Sequence, residues 1–251
     1  MTSTPIHLAA WNVNHRGGQK TIPATVLHAI ATLDVDVLVL TEFVDGPHHT
    51  AFRDALQDIG FNDIAVSVRA PHQNQVLIAA RTPMASDGLI AAPGYTEAAT
   101  TNWLHRRLPS LGIEVVGFRA PTYLKAPDRA GYWTQVERIA RGVRGRSLVL
   151  IGDFGTDPHT DTRPCMEPCR RLIDDGYQLP VADGAWSHWA DDGRTTRVDH
   201  AIVAPSLAIT DARYLYRSGR HTLAGPSQAA PLSDHAALSL RVTTVERRDA
   251  A

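Results

Sequence analysis

Apolar residues in this chain fall into short runs separated by polar stretches, at 35–40, 76–80, 113–118, 148–151, 200–203 and 237–242. Runs of four to six residues rich in Val, Ile and Leu predict strands rather than helices. A first strand is predicted to end near Trp11 and Asn12. Between the runs, some segments carry a helical period instead. Over 21–33, Ile22, Val26, Ile30 and Leu33 share one stripe, with Pro23 in the first turn, where proline is tolerated. Over 49–59, Phe52, Leu56 and Ile59 do the same, and Gly60 follows as a C-cap. Helices are also predicted over 133–143 and 168–175.

The stretches 91–101 and 217–232 are punctuated by Pro and Gly and read as surface loops, and 245–251 reads as a frayed polar end. No repeat or low-complexity tract interrupts the chain. The alternation of strand and helix signals predicts one α/β domain over 1–251, with its core at about 6–243.

Composition narrows this only slightly. The 251 residues are 43% hydrophobic, enough for a sizeable core. The net charge of −1 excludes a protein that holds nucleic acid by bulk positive charge, but not one that uses a local basic stripe or a bound metal. The two cysteines, Cys165 and Cys169, are spaced to share one helical face. They read as ordinary thiols in a reducing compartment; a disulfide or a zinc site is the other reading, with no second cysteine pair to complete a zinc set. The N-terminus carries no secretory pattern, and no apolar run reaches the ~18–20 residues needed to span a bilayer. A soluble cytoplasmic protein, with no membrane partner and monomeric, is expected.

The chemistry lies where the apolar runs stop. Five strand-like segments end in acidic, amide or imidazole side chains: Trp11-Asn12-Val13-Asn14, Leu40-Thr41-Glu42, Ile151-Gly152-Asp153-Phe154, Arg197-Val198-Asp199-His200 and Leu232-Ser233-Asp234-His235. A carboxylate that closes a fully apolar strand must be solvated, paired or metal-bound, because burying it alone is costly. Five such ends suggest one carboxylate-rich pocket that holds a hard divalent cation and works on phosphate esters.

In this order and spacing the segments resemble the endonuclease/exonuclease/phosphatase superfamily, which includes pancreatic-type DNases and apurinic endonucleases. The resemblance runs from Trp11 to about Arg241. It implies a four-layer α/β sandwich of two packed mixed β-sheets flanked by helices, with the active site at one end of the sheets. It also implies a hydrolase of phosphate ester bonds that needs Mg2+ or Mn2+. On this resemblance Glu42, Asp234 and Asn14 are metal ligands, Asn14 standing where several relatives have Asp. Asp153 orients and deprotonates the attacking water, Asp199 orients His235, and Asn12 and Arg119 contact the scissile phosphate. Arg119 stands where relatives have His or Tyr; a guanidinium binds phosphate but cannot serve as general acid.

The largest departure is Gly155, where the family's Gly-Asp-x-Asn segment carries an Asn; Gly155→Asn is expected to raise turnover or leave it unchanged, given a backbone there that Asn adopts. The favoured function is a phosphodiesterase, most often a nuclease, acting on nucleic acid. The alternatives are a phosphatase or phosphodiesterase for a small phosphoester or phospholipid headgroup, and a catalytically weakened binding protein of the same fold. Further residues are candidates for nucleic-acid contact or for polar loops: Trp103, His105, Arg106 and Arg107; Tyr123, Lys125, Arg129, Tyr132 and Trp133; His159 and Asp161. His188 and Trp189 stand where relatives often have an aromatic lining the cleft.

Overall fold

The computed structural model describes residues 4–14, 22–44, 46, 49–94, 96–122 and 124–245. In chain order the strands are β1 (Ile6–Asn12), β2 (Val37–Phe43), β3 (Asp63–Val66), β4 (Gln75–Ala80), β5 (Trp103–Leu108), β6 (Ile113–Arg119), β7 (Leu148–Asp153), β8 (His188–Trp189), β9 (Thr195–Thr196), β10 (Asp199–Val203), β11 (Leu207–Leu215), β12 (Arg217–Ser218), β13 (His221–Thr222) and β14 (Ala237–Thr244). The helices are α1 (Ala24–Ala31), α2 (His49–Asp58), α3 (Glu97–Thr101), α4 (Ala126–Gly142) and α5 (Glu167–Asp174). One sheet has the order β11-β14-β1-β2-β4-β3 and the other β10-β7-β6-β5, with β8-β9 and β12-β13 as separate small hairpins. Both large sheets are mixed: β1 runs parallel to β2 and β6 parallel to β7, while their other pairs are antiparallel.

The uninterrupted apolar runs follow from burial on both faces. Leu8, Val37, Val39, Val149 and Ile151 point into the space between the sheets. Their neighbours Ala9, Trp11, Leu38 and Leu40 turn outward under α1 and α2, where they meet Val26, Ile30, Phe52 and Leu56. Val116, Phe118, Leu148 and Leu150 turn outward on the other side, against Trp133 and Val136 of α4 and Leu172 of α5. The layers are therefore helix, sheet, sheet, helix. Each fully buried aliphatic side chain contributes about 1.5–3 kcal/mol over an exposed one. Gly117 of β6 sits between the sheets, where a Cβ would lie 2.6 Å from Val39 Cγ1 and 2.9 Å from Val76 Cγ1. A larger residue here would push the sheets apart.

Several boundaries differ from the sequence pattern. Helix α1 starts after Pro23, which is its N-cap rather than a first-turn residue, and Thr21 lies outside the described residues. Helix α4 begins at Ala126, seven residues before Trp133, with a proline in its first turn; those first residues are largely exposed and carry no apolar period to read. The predicted loop 91–101 contains α3, capped by Thr96, whose Oγ1 accepts from Ala99 N at 3.1 Å. The loop 217–232 contains the β12–β13 hairpin. Strand β11 was not signalled, because it is a half-exposed edge strand whose register slips between Ile209 and Asp211. No helix among the described residues is long and apolar enough to cross a membrane.

Candidate active site

Topology collects the polar strand ends on one rim. Because β1 is parallel to β2, Asn12 ends beside Thr41, one residue before Glu42. Because β6 is parallel to β7, Arg119 ends beside Asp153. The antiparallel strand β10 starts where β7 stops, with Asp199 opposite Asp153. Strand β14 runs antiparallel to β1, so the residues just before it, Asp234 and His235, enter at the same end.

Asp153 is buried and held by several donors. Asn12 Nδ2 donates to Oδ2 at 3.1 Å, and the Gly155 amide donates to Oδ1 at 2.8 Å. Arg119 Nε lies 3.5 Å from Oδ2, while Arg119 Nη2 lies 2.8 Å from Glu42 Oε1. The guanidinium thus bridges two carboxylates of the rim. Glu42 reaches it from a bulge: the β2–β4 register shifts between Leu40 and Phe43, and Glu42 has φ +54°. A left-handed conformation in a residue other than glycine is uncommon, and outliers of this kind concentrate at functional sites.

A second cluster adjoins the first. His235 Nδ1 donates to Asp199 Oδ2 at 2.8 Å, with both side chains buried. Burial opposes charge on His235, but the Asp199 carboxylate outweighs it, helped by Asp153 and Asp234, and the imidazole is raised to about 9. Burial raises the Asp199 carboxyl. Around the pair, Ser187 Oγ accepts from the Val198 and Asp199 amides at 2.9 and 3.0 Å, and Tyr214 OH donates to the Asp199 carbonyl at 2.8 Å. Ser233 Oγ donates to the Asn12 carbonyl at 2.7 Å and accepts from the His235 amide at 3.1 Å, which ties the two clusters together.

Asp234 is half-exposed at the edge of a cleft of about 440 Å3, lined also by Asn14, Trp189, Asp191, Asp192, Ser227 and Gln228. Burial tends to raise its carboxyl, but His188 and His235 hold it below the usual range. Asn14 is exposed with φ +51°, and its amide donates to Asn12 Oδ1 at 2.9 Å. All eight candidate residues therefore border one rim: Asn12, Asn14, Glu42, Arg119, Asp153, Asp199, Asp234 and His235. The oxygen donors of Glu42, Asp234 and Asn14 suit a hard divalent cation.

His188 has a larger place than its sequence position suggested. It forms an antiparallel bridge with His235, their rings lie 4.7 Å apart, and its Nε2 is 3.7 Å from Asp234 Oδ2. Its strand has two residues, too short for any periodicity, so only its place before Arg197-Val198-Asp199 could flag it. The β8–β9 hairpin is sewn to the site by Trp189 N to Asp234 O at 2.8 Å and Ala236 N to Ser187 O at 2.7 Å. Ser187 and Tyr214 gave no motif signal, and Ser233 stood inside the Ser233-Asp234-His235 segment with no role assigned to it.

Gly155 corrects the expectation that Asn fits there. Its φ of +64° is one that Asn tolerates, but a Cβ would lie 1.9 Å from Thr122 Cγ2. An Asn here needs Thr122, an exposed side chain, to move aside, and the Gly155 amide serves Asp153 directly.

Other candidates lie elsewhere. Trp103 is buried against Phe118, with ring centroids 5.7 Å apart. His105 is buried, accepting from the Ile90 amide at Nδ1 and donating to Glu114 from Nε2, both at 2.9 Å. Arg106 donates to the His105 carbonyl, and Arg107 pairs with Asp87 at 2.8 Å. Tyr132 and Trp133 are core residues of α4, Lys125 is its N-cap, and Arg129 donates to the Thr122 and Leu124 carbonyls. Tyr123 lies outside the described residues. Asp161 is held well below the usual carboxylate range by Arg163 and Thr156. Cys165 and Cys169 are buried free thiols, Cys169 pushed far up by burial.

The family model described as Endonuclease/Exonuclease/phosphatase matches residues 9–235, from β1 to the last imidazole of the rim. No curated protein matches the chain. Among solved structures the chain is similar to a 3' phosphatase, NExo, from Neisseria bound to a product DNA hairpin, at 20% identity and a TM-score of 0.68 over 94% of this chain and 98% of that one. It is similar to an endonuclease/exonuclease/phosphatase from Beutenbergia cavernae, at 16% identity and 0.70 over 96% and 72%. An AP endonuclease from Archaeoglobus fulgidus matches at 15% identity and 0.68 over 94% and 98%. At these identities the likeness is one of fold.

Proposed function

The chain belongs to the endonuclease/exonuclease/phosphatase family, and from this we propose that it is a metal-dependent phosphodiesterase that hydrolyses nucleic acid by in-line attack of water. The observation that carries this reading is the buried Asp153 carboxylate, fixed by Asn12 and Gly155 beside the Asp199–His235 pair. Asp153 orients the attacking water and takes its proton. His235, charged and held by Asp199, donates from Nε2 to the phosphoryl oxygens as negative charge develops there. Asn12 and Arg119 grip the phosphate, and Arg119 does so while shared with Glu42. Glu42, Asp234 and Asn14 would hold Mg2+ or Mn2+, which supplies Lewis-acid polarisation of the phosphate and stabilises the leaving oxygen.

Nucleic acid is favoured because NExo, similar over nearly the whole chain, was captured with a DNA hairpin. A small phosphoester is the second reading. One observation favours it: Asp191, Asp192 and Asp234 line the cleft, and no Lys or Arg is among its described lining residues. Such a wall repels a polyanion. The reading places a monomer in the cytoplasm, where buried thiols stay reduced. Hydrolysis of plasmid and hairpin DNA against soluble diesters, across a Mg2+ and Mn2+ titration, tests it. Metal-dependent DNA cleavage abolished by Asp153→Asn is expected; no hydrolysis of any phosphoester would refute it.

A further inference from the structure

Strand β10 alternates its side chains, so that Asp199 faces the active site while His200, opposite Gly152, turns to the other side. There His200 is buried, its ring edge-on to Phe154 with centroids 5.4 Å apart. The loop that follows Asp153 folds back over it. Asp157 Oδ1 accepts from the His159 amide at 3.0 Å, a local turn that brings the His159 ring to 5.8 Å from that of His200. The Asp157 carbonyl accepts from the Thr160 and Asp161 amides at 3.2 and 2.9 Å, so the turn is well tied. Asp157 Oδ1 stands 3.8 Å from His200 Nε2, and one donor atom from each of Asp157, His159 and His200 falls within 4.8 Å of the others. His200 Nε2 donates to the Arg197 carbonyl at 3.2 Å, and that hydrogen must move to Nδ1 before Nε2 can bind an ion.

We propose that Asp157, His159 and His200 form a second cation site, outside the active site, for a borderline first-row divalent ion such as Zn2+. Two imidazoles and one carboxylate, with one side open, match the three-protein-ligand pattern of zinc sites. Nitrogen donors select such an ion over Mg2+, which prefers oxygen. His159 is exposed and leaves an entry path, while His200 is anchored in the core. The ligating tautomer of His200 carries its hydrogen on Nδ1 and offers the Nε2 lone pair. The consequence is mechanical. The ion would clamp the loop after β7 to β10, the strand pair that sets Asp153 opposite Asp199. It braces the active-site backbone from behind and takes no part in the chemistry.

The test is calorimetric titration of Zn2+ into the full chain with Mg2+ in excess, together with thermal unfolding. Wild type, His159→Ala, Asp157→Asn and His188→Ala are compared, the last probing the imidazole pair of the active-site cleft. Wild type is expected to bind Zn2+ and to unfold at higher temperature with it. Binding should weaken about tenfold or more in His159→Ala and Asp157→Asn, as for loss of groups that build a metal site, and stay unchanged in His188→Ala. No Zn2+ binding by wild type, binding that survives His159→Ala, or loss in His188→Ala would overturn the proposal.

Discussion

Arg119 stands between Glu42 of one sheet and Asp153 of the other, 2.8 Å from the first carboxylate and 3.5 Å from the second, at the end of β6 where it runs beside β7. A fixed positive charge therefore shares the rim with the proposed metal. It neutralises part of the carboxylate charge that would attract a cation, and it offers phosphate a permanent donor. Arg119→Met should have two opposite effects. Turnover should fall on the order of 10²–10³, the cost of one transition-state donor. Mg2+ affinity should rise, because a like charge is gone. Steady-state kinetics and calorimetry on the same preparation check both; affinity that falls with turnover would mean that Arg119 organises the metal ligands instead of competing with them.

Asp199→Asn keeps the shape of the His235 contact but removes the charge that holds the imidazole protonated. We expect kcat to drop on the order of 10² or more with KM little changed, since the lost stabilisation belongs to the transition state. A variant that loses only KM would place the pair in substrate binding.

Gly155→Asn should destabilise the protein by about 1–3 kcal/mol, the usual cost of overpacking, because of the approach of Thr122 Cγ2. Thr122→Ala should recover most of that loss, since φ at 155 suits Asn. Urea unfolding of the two single variants and the double variant gives the coupling. Additive effects would show that the contact does not set the choice of glycine.

Stability should fall as pH drops from about 6.5 toward 4. Burial pushes His105 down to about 4 against the pull of Glu114, and the Ile90 amide facing Nδ1 leaves no acceptor for a second proton. A histidine depressed in the folded state is protonated more readily in the unfolded chain. Its contribution is therefore complete above the unfolded value and is lost as pH falls through the window, with a slope of about 1.4 kcal/mol per pH unit. His105→Gln, which can accept from the Ile90 amide and donate to Glu114 without titrating, should reduce the slope of the melting-temperature profile over that window without abolishing it, because burial also depresses His200 and His7.

The strand ends were legible because both faces of the central strands are buried: Val37 and Val39 face one core while Leu38 and Leu40 face another, and the apolar run stops where the rim begins. Asn12 and Asp153 could be found in this way; Asp199 and Asp234, expected to close apolar runs, instead precede the runs of β10 and β14 and were found through the family resemblance. What the pattern could not carry was contact between distant segments. The pairing of Glu42 with Arg119 depends on a bulge and a left-handed residue within an apolar strand. The crowding at Gly155 comes from Thr122, more than thirty residues away. His188 acts from a strand too short for any period. Trp103, His105 and Arg107 looked like a nucleic-acid surface only because one residue type serves both a core strand and a binding face; β5 spends them on packing and ion pairs.

The β8–β9 hairpin has its base hydrogen-bonded to Asp234 and Ala236 and its exposed tip at 190–194 closed on itself by Ala190 N to Arg194 O at 2.8 Å. Base and tip are therefore under different structural constraint. The base moves as one body with His235, and any change there disturbs the reaction. The tip forms one wall of the cleft yet shares no bond with the reacting groups, so its length and charge are free to drift. Exchanging residues 190–194 should therefore alter which molecule the cleft accepts while leaving the buried groups of the rim in place.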